Sequence, residues 1–289
     1  MRFGLMFTNT GMGSTSAGAR ELATRAERLG FESLWTVEHV VVPSGYQSAY
    51  PYDPSGKMAG GAEEFDLPDP LIWLAYVAAV TERIKLATGI LIVPQRNPLI
   101  LAKALATLDT LSGGRMVLGV GAGWLKEEFD AIGVPFADRG LRLDGYIEAM
   151  RALWKGGKTT VANDFTSFTD CISLPRPANG TVPVVVGGHS KAAAKRAARL
   201  GDGFFPGSAA IDALSGLFDT MRAECAALGR DPAQIELTAG GGGRNLDENS
   251  ARIEQLQALG VTRVILPPLP GDKLDEFAEG LRGRFSMDA

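Results

Sequence analysis

Short apolar runs alternate with amphipathic stretches along the whole chain. Several of these runs are apolar at almost every position, as in KLATGILIV and VPVVV, which is typical of parallel strands covered on both faces. We predict strands at Arg2–Phe7, Ser33–Val37, Ile84–Ile92, Met116–Val120, Val182–Val186, Gly203–Phe205, Ile235–Ala239 and Arg263–Leu266.

The stretches between these runs carry helical spacing and helix boundary signals. The segment Asn97–Leu111 begins with Asn-Pro, repeats apolar residues on one face and stops before Gly113-Gly114. Similar patterns predict helices at Ala17–Leu29, Asp69–Thr81, Asn97–Leu111, Leu141–Trp154, Lys191–Leu200, Ile211–Leu228, Glu248–Leu259 and Lys273–Arg282.

Eight strands, each followed by a helix, predict an α/β fold of the (β/α)8 TIM-barrel type. The average unit of 289/8, about 36 residues, suits such a barrel and leaves about 40 residues for insertions. No linker separates the units, so we expect residues 1–289 to form a single domain. Alternation alone does not show that the sheet closes, and a doubly wound open sheet is the alternative.

Two insertions interrupt this pattern. The segment Val40–Pro68, after the second strand, is rich in glycine, proline and tyrosine, and we predict a lid over the carboxyl-terminal mouth of the barrel. A surface loop without function is the alternative. The segment Trp154–Pro177, after the fourth helix, contains Phe165 and Phe168 and is predicted to form an apolar plug or a short hairpin without a chemical role.

Composition excludes several classes of function. The formal net charge is −4 and no basic block is present, which argues against a nucleic-acid partner. No run reaches the length of about 18 apolar residues that a membrane span needs. Two cysteines and two histidines provide neither a disulfide framework nor a metal-ligand spacing. We therefore expect a cytoplasmic protein that acts on a small molecule and binds no metal.

Candidate chemistry lies where the predicted strands end, because TIM barrels build their sites from those loops. Both histidines occur there. His39 follows Glu38 after the second strand and is predicted to be an acid–base group, since histidine changes charge near physiological pH. His189 lies in a glycine-rich turn and is predicted to contact a cofactor. For either histidine, an ordinary surface or core position is the alternative.

Two glycine-rich loops are candidate phosphate sites. Gly187–Ser190 precedes a helix, where free backbone amides favour an anion, and we prefer it to Gly240–Arg244 because only the first loop runs directly into a predicted helix. The G-x-G-x-G spacing of Gly119–Gly123 lacks the remaining features of a Rossmann dinucleotide site. With so few reactive side chains at the strand ends, we expect a bound organic cofactor.

Several segments together resemble the luciferase-like monooxygenase superfamily. They are SLWTVEHVVVP (Ser33–Pro43), the run Leu67–Trp124 with RNP, LAK, ATLD, LSGGR and GVGAGW, the helix Arg139–Trp154, and VPVVVGGHSKAAAKRAARLGDGFF (Val182–Phe205). The likeness covers most of residues 1–205. It is greatest to the branch that uses the deazaflavin coenzyme F-420.

The resemblance implies a cofactor ring at the carboxyl end of the barrel and a non-prolyl cis peptide at Gly89-Ile90. It also implies a homo-oligomer, a dimer. The catalytic residues that it implies are His39 and Glu38. The implied cofactor-binding residues are Thr88, Gly89, Ile90, Gly121, Ala122, Gly123, Gly187, Gly188, His189 and Ser190.

Two departures from the family pattern refine the expected function. Trp124 stands where some deazaflavin dehydrogenases have an acidic residue, so a sugar-phosphate reaction is not expected. Ala122 stands where flavin-binding members have an arginine, and Gly121 and Gly123 beside it are predicted to leave room for a longer tail. These residues favour the deazaflavin and hydride transfer. The alternatives are an FMN-dependent monooxygenase, a non-catalytic cofactor-binding protein, and a lyase or isomerase with phosphate at Gly240–Arg244.

Overall fold

The computed structural model describes residues 1–58, 61–207 and 209–287. Residues 59 and 60 of the predicted lid lie outside the described residues. The strands are β1 (Arg2–Leu5), β2 (Ser33–Thr36), β3 (Lys85–Thr88), β4 (Leu91–Ile92), β5 (Met116–Gly121), β6 (Thr159–Asn163), β7 (Thr166–Cys171), β8 (Val184–Gly187), β9 (Gly203–Phe205), β10 (Glu236–Gly240) and β11 (Arg263–Leu266).

The predicted barrel is confirmed, because the parallel sheet closes on itself. The chain of pairings runs β3-β2-β1-β11-β10-β9-β8-β5, and β3 pairs with β5 to complete the ring. In that last pairing, Leu86 lies opposite Met116 and Ala87 lies opposite Val117. The open-sheet alternative is therefore wrong, since it would leave these two strands as unpaired edges.

One predicted strand, Ile84–Ile92, is divided into β3 and β4. Leu86 pairs with Met116 and Leu91 with Val120, so five steps along this strand match four steps along β5. The extra residue is accommodated as a bulge at Gly89-Ile90. The peptide bond between these two residues is cis, as the resemblance implied.

All eight predicted helices are present. The helices are α1 (Ser16–Arg28), α2 (Pro70–Ala78), α3 (Pro98–Leu111), α4 (Lys126–Ala131), α5 (Arg139–Lys155), α6 (Lys191–Leu200), α7 (Ile211–Ala227), α8 (Leu246–Ala258) and α9 (Asp272–Arg284). The short α4 was not predicted. The Asx-Pro signals mark true helix starts, since Asp69 caps α2 and Asn97 caps α3 through their side-chain oxygens. No described helix is long and apolar enough to cross a membrane.

The two insertions lie on different parts of the barrel. The segment after α5 was predicted to form an apolar plug or a short hairpin, and it forms the antiparallel hairpin β6–β7. The loop that joins β2 to α2 crosses the carboxyl-terminal mouth, because the ring of Tyr52 lies 5.0 Å from that of His189 in the loop after β8. The prediction of a lid over the mouth is confirmed.

Side chains fill the inside of the barrel. Trp35, Ala87, Val117, Val185, Phe205 and Ile265 form one buried cluster there, and Met6 packs against it. A larger cluster fills the layer between the strands and the surrounding helices. A packed interior leaves the mouth, with its loops and lid, as the place for a ligand.

Candidate active site

His39 follows β2 at the mouth and is held by a carboxylate from α4. The His39 Nδ1 atom lies 3.0 Å from Glu128 Oε2, and the Glu128 side chain is fully buried. The other oxygen, Glu128 Oε1, accepts hydrogen bonds from the backbone amides of Val40 at 2.6 Å and Val41 at 3.4 Å. The imidazole is thus fixed in orientation at the place where the lid begins.

Glu38 points the other way, into the barrel wall. Its carboxylate accepts hydrogen bonds from the backbone amide of Ile92 at 2.6 Å and from the guanidinium of Arg96, which also pairs with Asp69. Burial raises the pKa of the Glu38 carboxyl, although the charge and hydrogen bonds of Arg96 oppose this shift. Both oxygens of Glu38 therefore serve to join β2 to the end of β4.

The side chain of Ile90 accounts for the need for glycine at two of the positions that were predicted to bind cofactor. A Cβ atom at Gly121 would lie 2.3 Å from Ile90 Cδ1, and one at Gly187 would lie 2.4 Å from Ile90 Cγ2. At Gly123, where φ is +85°, a Cβ atom would lie 2.7 Å from the Phe129 ring. The expectation that Gly121 and Gly123 leave room for a longer tail is wrong, because protein side chains occupy that space.

Thr88 and Gly89 lie in the barrel wall beneath the mouth. The buried Thr88 hydroxyl donates to the carbonyl of Gly119 at 2.7 Å. A Cβ atom at Gly89 would lie 3.0 Å from the Trp35 ring and 3.1 Å from Met6 Sδ. Both residues set the shape of the wall at the bulge, and Ile90 is the residue of this trio that reaches the neighbouring loops.

Arg139, at the start of α5, lies beside the loop that contains Ala122. Its Nε donates to the carbonyl of Gly123 at 3.0 Å, and its guanidinium stacks 3.7 Å from the ring centre of Phe136. Burial lowers the pKa of Arg139. In the described part of the chain it has no carboxylate partner. An arginine therefore reaches this loop from another element, although none stands at position 122.

The predicted phosphate loop, Gly187–Ser190, leads directly into α6. Gly188 has a φ of 115° and donates its amide to the carbonyl of Phe205 at 3.2 Å. The Ser190 hydroxyl caps the helix by accepting from the amide of Ala193 at 3.1 Å. In the described part of the chain, the amides of residues 189–192 have no protein acceptor, and His189 is exposed.

The competing loop, Gly240–Arg244, also runs into a helix. Asn245 caps α8, which begins at Leu246 and not at Glu248 as predicted. The statement that only Gly187–Ser190 leads directly into a helix is therefore wrong. The carbonyl of Gly240 accepts a hydrogen bond from Arg252, and Asn249 donates to Gly243, so protein side chains already hold this loop.

Aromatic rings connect the two histidines across the mouth. His39 contacts Trp124 at a ring distance of 5.7 Å, Trp124 contacts Tyr50 at 5.2 Å, and Tyr50 contacts Tyr52 at 5.4 Å. Tyr52 then contacts His189. Burial raises the pKa of Tyr50 to about 12, with the neighbouring Tyr52 and Asp53 adding to the shift. The rings of Trp124, Tyr50 and Tyr52 give the mouth an apolar wall.

The two consecutive glutamates of α4 fasten the lid at two points. Glu128 holds residues 39–41, and Glu127 accepts hydrogen bonds from the amides of Gln47 and Ser48 and from the Ser48 hydroxyl. The Ser48 hydroxyl and these amides lower the pKa of the Glu127 carboxyl to about 2. The first part of the lid is therefore anchored to α4 throughout the physiological pH range.

Sequence reasoning missed Glu128 and Arg139, and it noted the tyrosines of the lid without giving them a place in the site. Glu128 is 89 residues away from His39 in sequence, so no local spacing could join the two. The adjacent pair Glu127-Glu128 was the signal in the sequence that could have indicated this helix and its role. Acidic residues stabilise the first turn of a helix, and their carboxylates can also accept hydrogen bonds from the backbone amides of a neighbouring loop.

Comparison with known proteins identifies relatives of this chain. The luciferase-like monooxygenase family profile matches residues 1–261. An uncharacterised protein of Mycobacterium tuberculosis is 37% identical over 187 residues, 65% of this chain and 65% of that protein. The F420-dependent glucose-6-phosphate dehydrogenase of Kineococcus radiotolerans is 32% identical over 224 residues, 75% of this chain and 61% of that protein. The FMNH(2)-dependent dimethylsulfone monooxygenase of Pseudomonas putida is 31% identical over 214 residues, 73% of this chain and 54% of that protein.

Solved structures share the fold over the whole chain. An F420-dependent secondary alcohol dehydrogenase superposes with a TM-score of 0.80 and 19% identity, and the match covers 99% of each chain. The match thus spans 65% of the length of the M. tuberculosis relative and 99% of this structural neighbour.

Proposed function

The chain belongs to the luciferase-like monooxygenase family, and from this premise we propose that it is an oxidoreductase that moves a hydride between the deazaflavin coenzyme F-420 and a small organic substrate. The observation that carries the proposal is the position of His39, whose imidazole lies at the carboxyl end of β2 and is held by a buried carboxylate. Hydride transfer to or from an alcohol or carbonyl also moves a proton, and an oriented imidazole suits that task.

The start of α6 fits the phosphate of such a cofactor. The free amides of residues 189–192 lie at the N-terminus of α6, where the helix dipole favours an anion. The first turn contains Lys191 and no acidic residue. A lysine at this end opposes the helix dipole, and a bound anion would offset that cost.

In the proposed reaction, His39, Glu38 and the aromatic residues of the lid have different roles. When bound, the deazaflavin supplies a two-electron hydride acceptor or donor. His39 exchanges the proton with the substrate. Glu38 acts by positioning, because its bonds to Ile92 and Arg96 fix β2 against the bulge at Ile90. The aromatic lid residues exclude water from the mouth.

Two similarities support the deazaflavin. One curated relative is an F420-dependent dehydrogenase and one structural neighbour is an F420-dependent alcohol dehydrogenase. Position 122 offers no side-chain donor for a flavin phosphate. Trp124, with its ring against His39, supports a substrate with an apolar body and not a sugar phosphate.

FMN-dependent monooxygenation is the second candidate function, and the position of Arg139 favours it. Its guanidinium lies at Gly123 without a carboxylate partner in the described residues, so it is available to an FMN phosphate. The P. putida relative uses reduced FMN. Titration of the apo-protein with each cofactor separates the two candidates.

Replacing Ser190 with aspartate is expected to weaken cofactor binding by at least about tenfold, because a unit charge would lie next to the phosphate. Aspartate caps helices as well as serine does, so α6 should remain folded. Ser190→Asn is the matched neutral control and should bind nearly as well as the wild type. Arg244→Ala should weaken binding less than Ser190→Asp, as measured by fluorescence titration. The opposite ranking would move the phosphate to Gly240–Arg244.

We also propose a homodimer. The outer faces of α2 and α3 expose Ile72, Tyr76, Ile100 and Leu111, with 72, 42, 72 and 81% of their surface accessible. Large exposed apolar side chains on two neighbouring helices favour a protein partner, and a second copy fits the family resemblance. Sedimentation should give twice the mass of 30.6 kDa, and Ile72→Asp should shift the protein toward the monomer. A wild-type monomer at micromolar concentration would contradict this proposal.

A further inference from the structure

The two oxygens of the Glu128 carboxylate have different donors, and this division determines what His39 can do. Glu128 Oε1 accepts from the backbone amide of Val40 at 2.6 Å, and a backbone amide can only donate. Glu128 Oε2 faces His39 Nδ1 at 3.0 Å. The carboxylate is fully buried, so water does not compete for either oxygen.

We propose that Glu128 is the positioning residue that sets the tautomer of His39. An ionised carboxylate only accepts hydrogen bonds, so in neutral His39 the proton must be on Nδ1. The Nε2 atom, on the far side of the ring from Glu128, then carries the lone pair. The neutral imidazole is thereby prepared as a proton acceptor, and Glu128 balances the charge of the imidazolium that forms.

This arrangement defines a class of substrate, an inference that rests on the proposed function. A group that accepts a proton at Nε2 suits a substrate with an ionisable hydrogen next to the carbon that gives up the hydride. In an alcohol, the hydroxyl proton would go to His39 Nε2 and the electron pair of the O–H bond would form the carbonyl bond, while the deazaflavin, when bound, would supply the acceptor for the hydride that leaves the carbon. The imidazolium returns the proton in the reverse direction.

Glu128→Gln is a nearly isosteric substitution that should reverse the tautomer. The glutamine amide has a single oxygen. That oxygen must face the backbone N–H of Val40, because this N–H can only donate a hydrogen bond and the amide NH2 cannot accept it. The amide NH2 would then face His39 Nδ1 and donate to it. Neutral His39 would be forced to carry its proton on Nε2, and the acceptor toward the substrate would be lost.

Glu127→Gln is the matched control on the same helical turn. The oxygen of the new amide can accept from Gln47 and Ser48, and its NH2 can donate to the Ser48 hydroxyl, which also accepts hydrogen bonds. Glu127 makes no contact with His39. This variant therefore tests whether a change in α4 or in the lid, without a change beside His39, affects the imidazole.

The test is nitrogen NMR of apo-protein labelled with 15N-histidine. The chain has two histidines, so two imidazoles are observed, and His189→Gln assigns them. At the alkaline plateau of the titration, we expect His39 to be protonated on Nδ1 in the wild type and in Glu127→Gln, and on Nε2 in Glu128→Gln. An Nε2-protonated His39 in the wild type, or an unchanged tautomer in Glu128→Gln, would overturn the proposal. Because no cofactor is present, the outcome is independent of whether the protein uses deazaflavin.

Discussion

His39→Ala is expected to lower turnover by about 100-fold or more while cofactor binding persists, the scale typical of a lost acid–base group. The imidazole contacts Trp124 and Glu128, whereas the phosphate is proposed to lie at the start of α6, so the two effects should separate. The measurement is the rate of deazaflavin reduction with a panel of alcohols, together with the dissociation constant of the cofactor.

Added imidazole provides the control for His39→Ala. If the missing side chain acts by moving a proton, free imidazole should restore part of the rate in the variant and leave the wild type unchanged. Full activity in His39→Ala without imidazole would reduce His39 to a structural residue of the lid hinge.

Arg263→Met is expected to destabilise the protein by about 3–5 kcal/mol, because it leaves a buried carboxylate without its partner. At the amino-terminal end of the barrel, Arg263 Nε and Nη2 donate to Glu32 at 2.8 and 2.7 Å, and the side chains are 5 and 7% exposed. Burial raises the pKa of the Glu32 carboxyl, but the hydrogen bonds and charge of Arg263 outweigh this and hold it below its ordinary value.

Arg28→Met is the control for the buried pair. Arg28 is 67% exposed and lies 3.3 Å from Asp275, so its loss should change the free energy of unfolding by less than about 1 kcal/mol. Urea denaturation measures both variants. Equal effects of the two substitutions would show that the Glu32–Arg263 pair gives the barrel no more than a surface pair does.

The barrel strands and eight of the described helices could be predicted because their own sequences carry a local signal. Parallel strands buried on both faces leave near-continuous apolar runs, and Asp69 and Asn97 before proline mark two helix starts. The break between β3 and β4 gives no such signal, since KLATGILIV reads as one apolar run. The six residues of α4 are too few to show a helical period.

The sequence predicts a site residue only when that residue can be identified without knowing its neighbours in space. His39 is a titratable side chain at a strand end, and its position is evident from the sequence. Its partner Glu128 is brought to it by tertiary structure. The sequence does not show why position 121 is a glycine. A glycine can leave space for a bound ligand or for a protein side chain, and in the structure the side chain of Ile90 occupies that space.

Titration of the purified apo-protein with F-420 and with FMN tests whether a deazaflavin binds at the carboxyl-terminal mouth. We expect saturable micromolar binding of F-420, weakened by Ser190→Asp and retained in Ser190→Asn, with little binding of FMN. Micromolar binding of FMN without binding of F-420 would contradict this expectation and would make the monooxygenase the better proposal, with Arg139 as the residue that holds the phosphate.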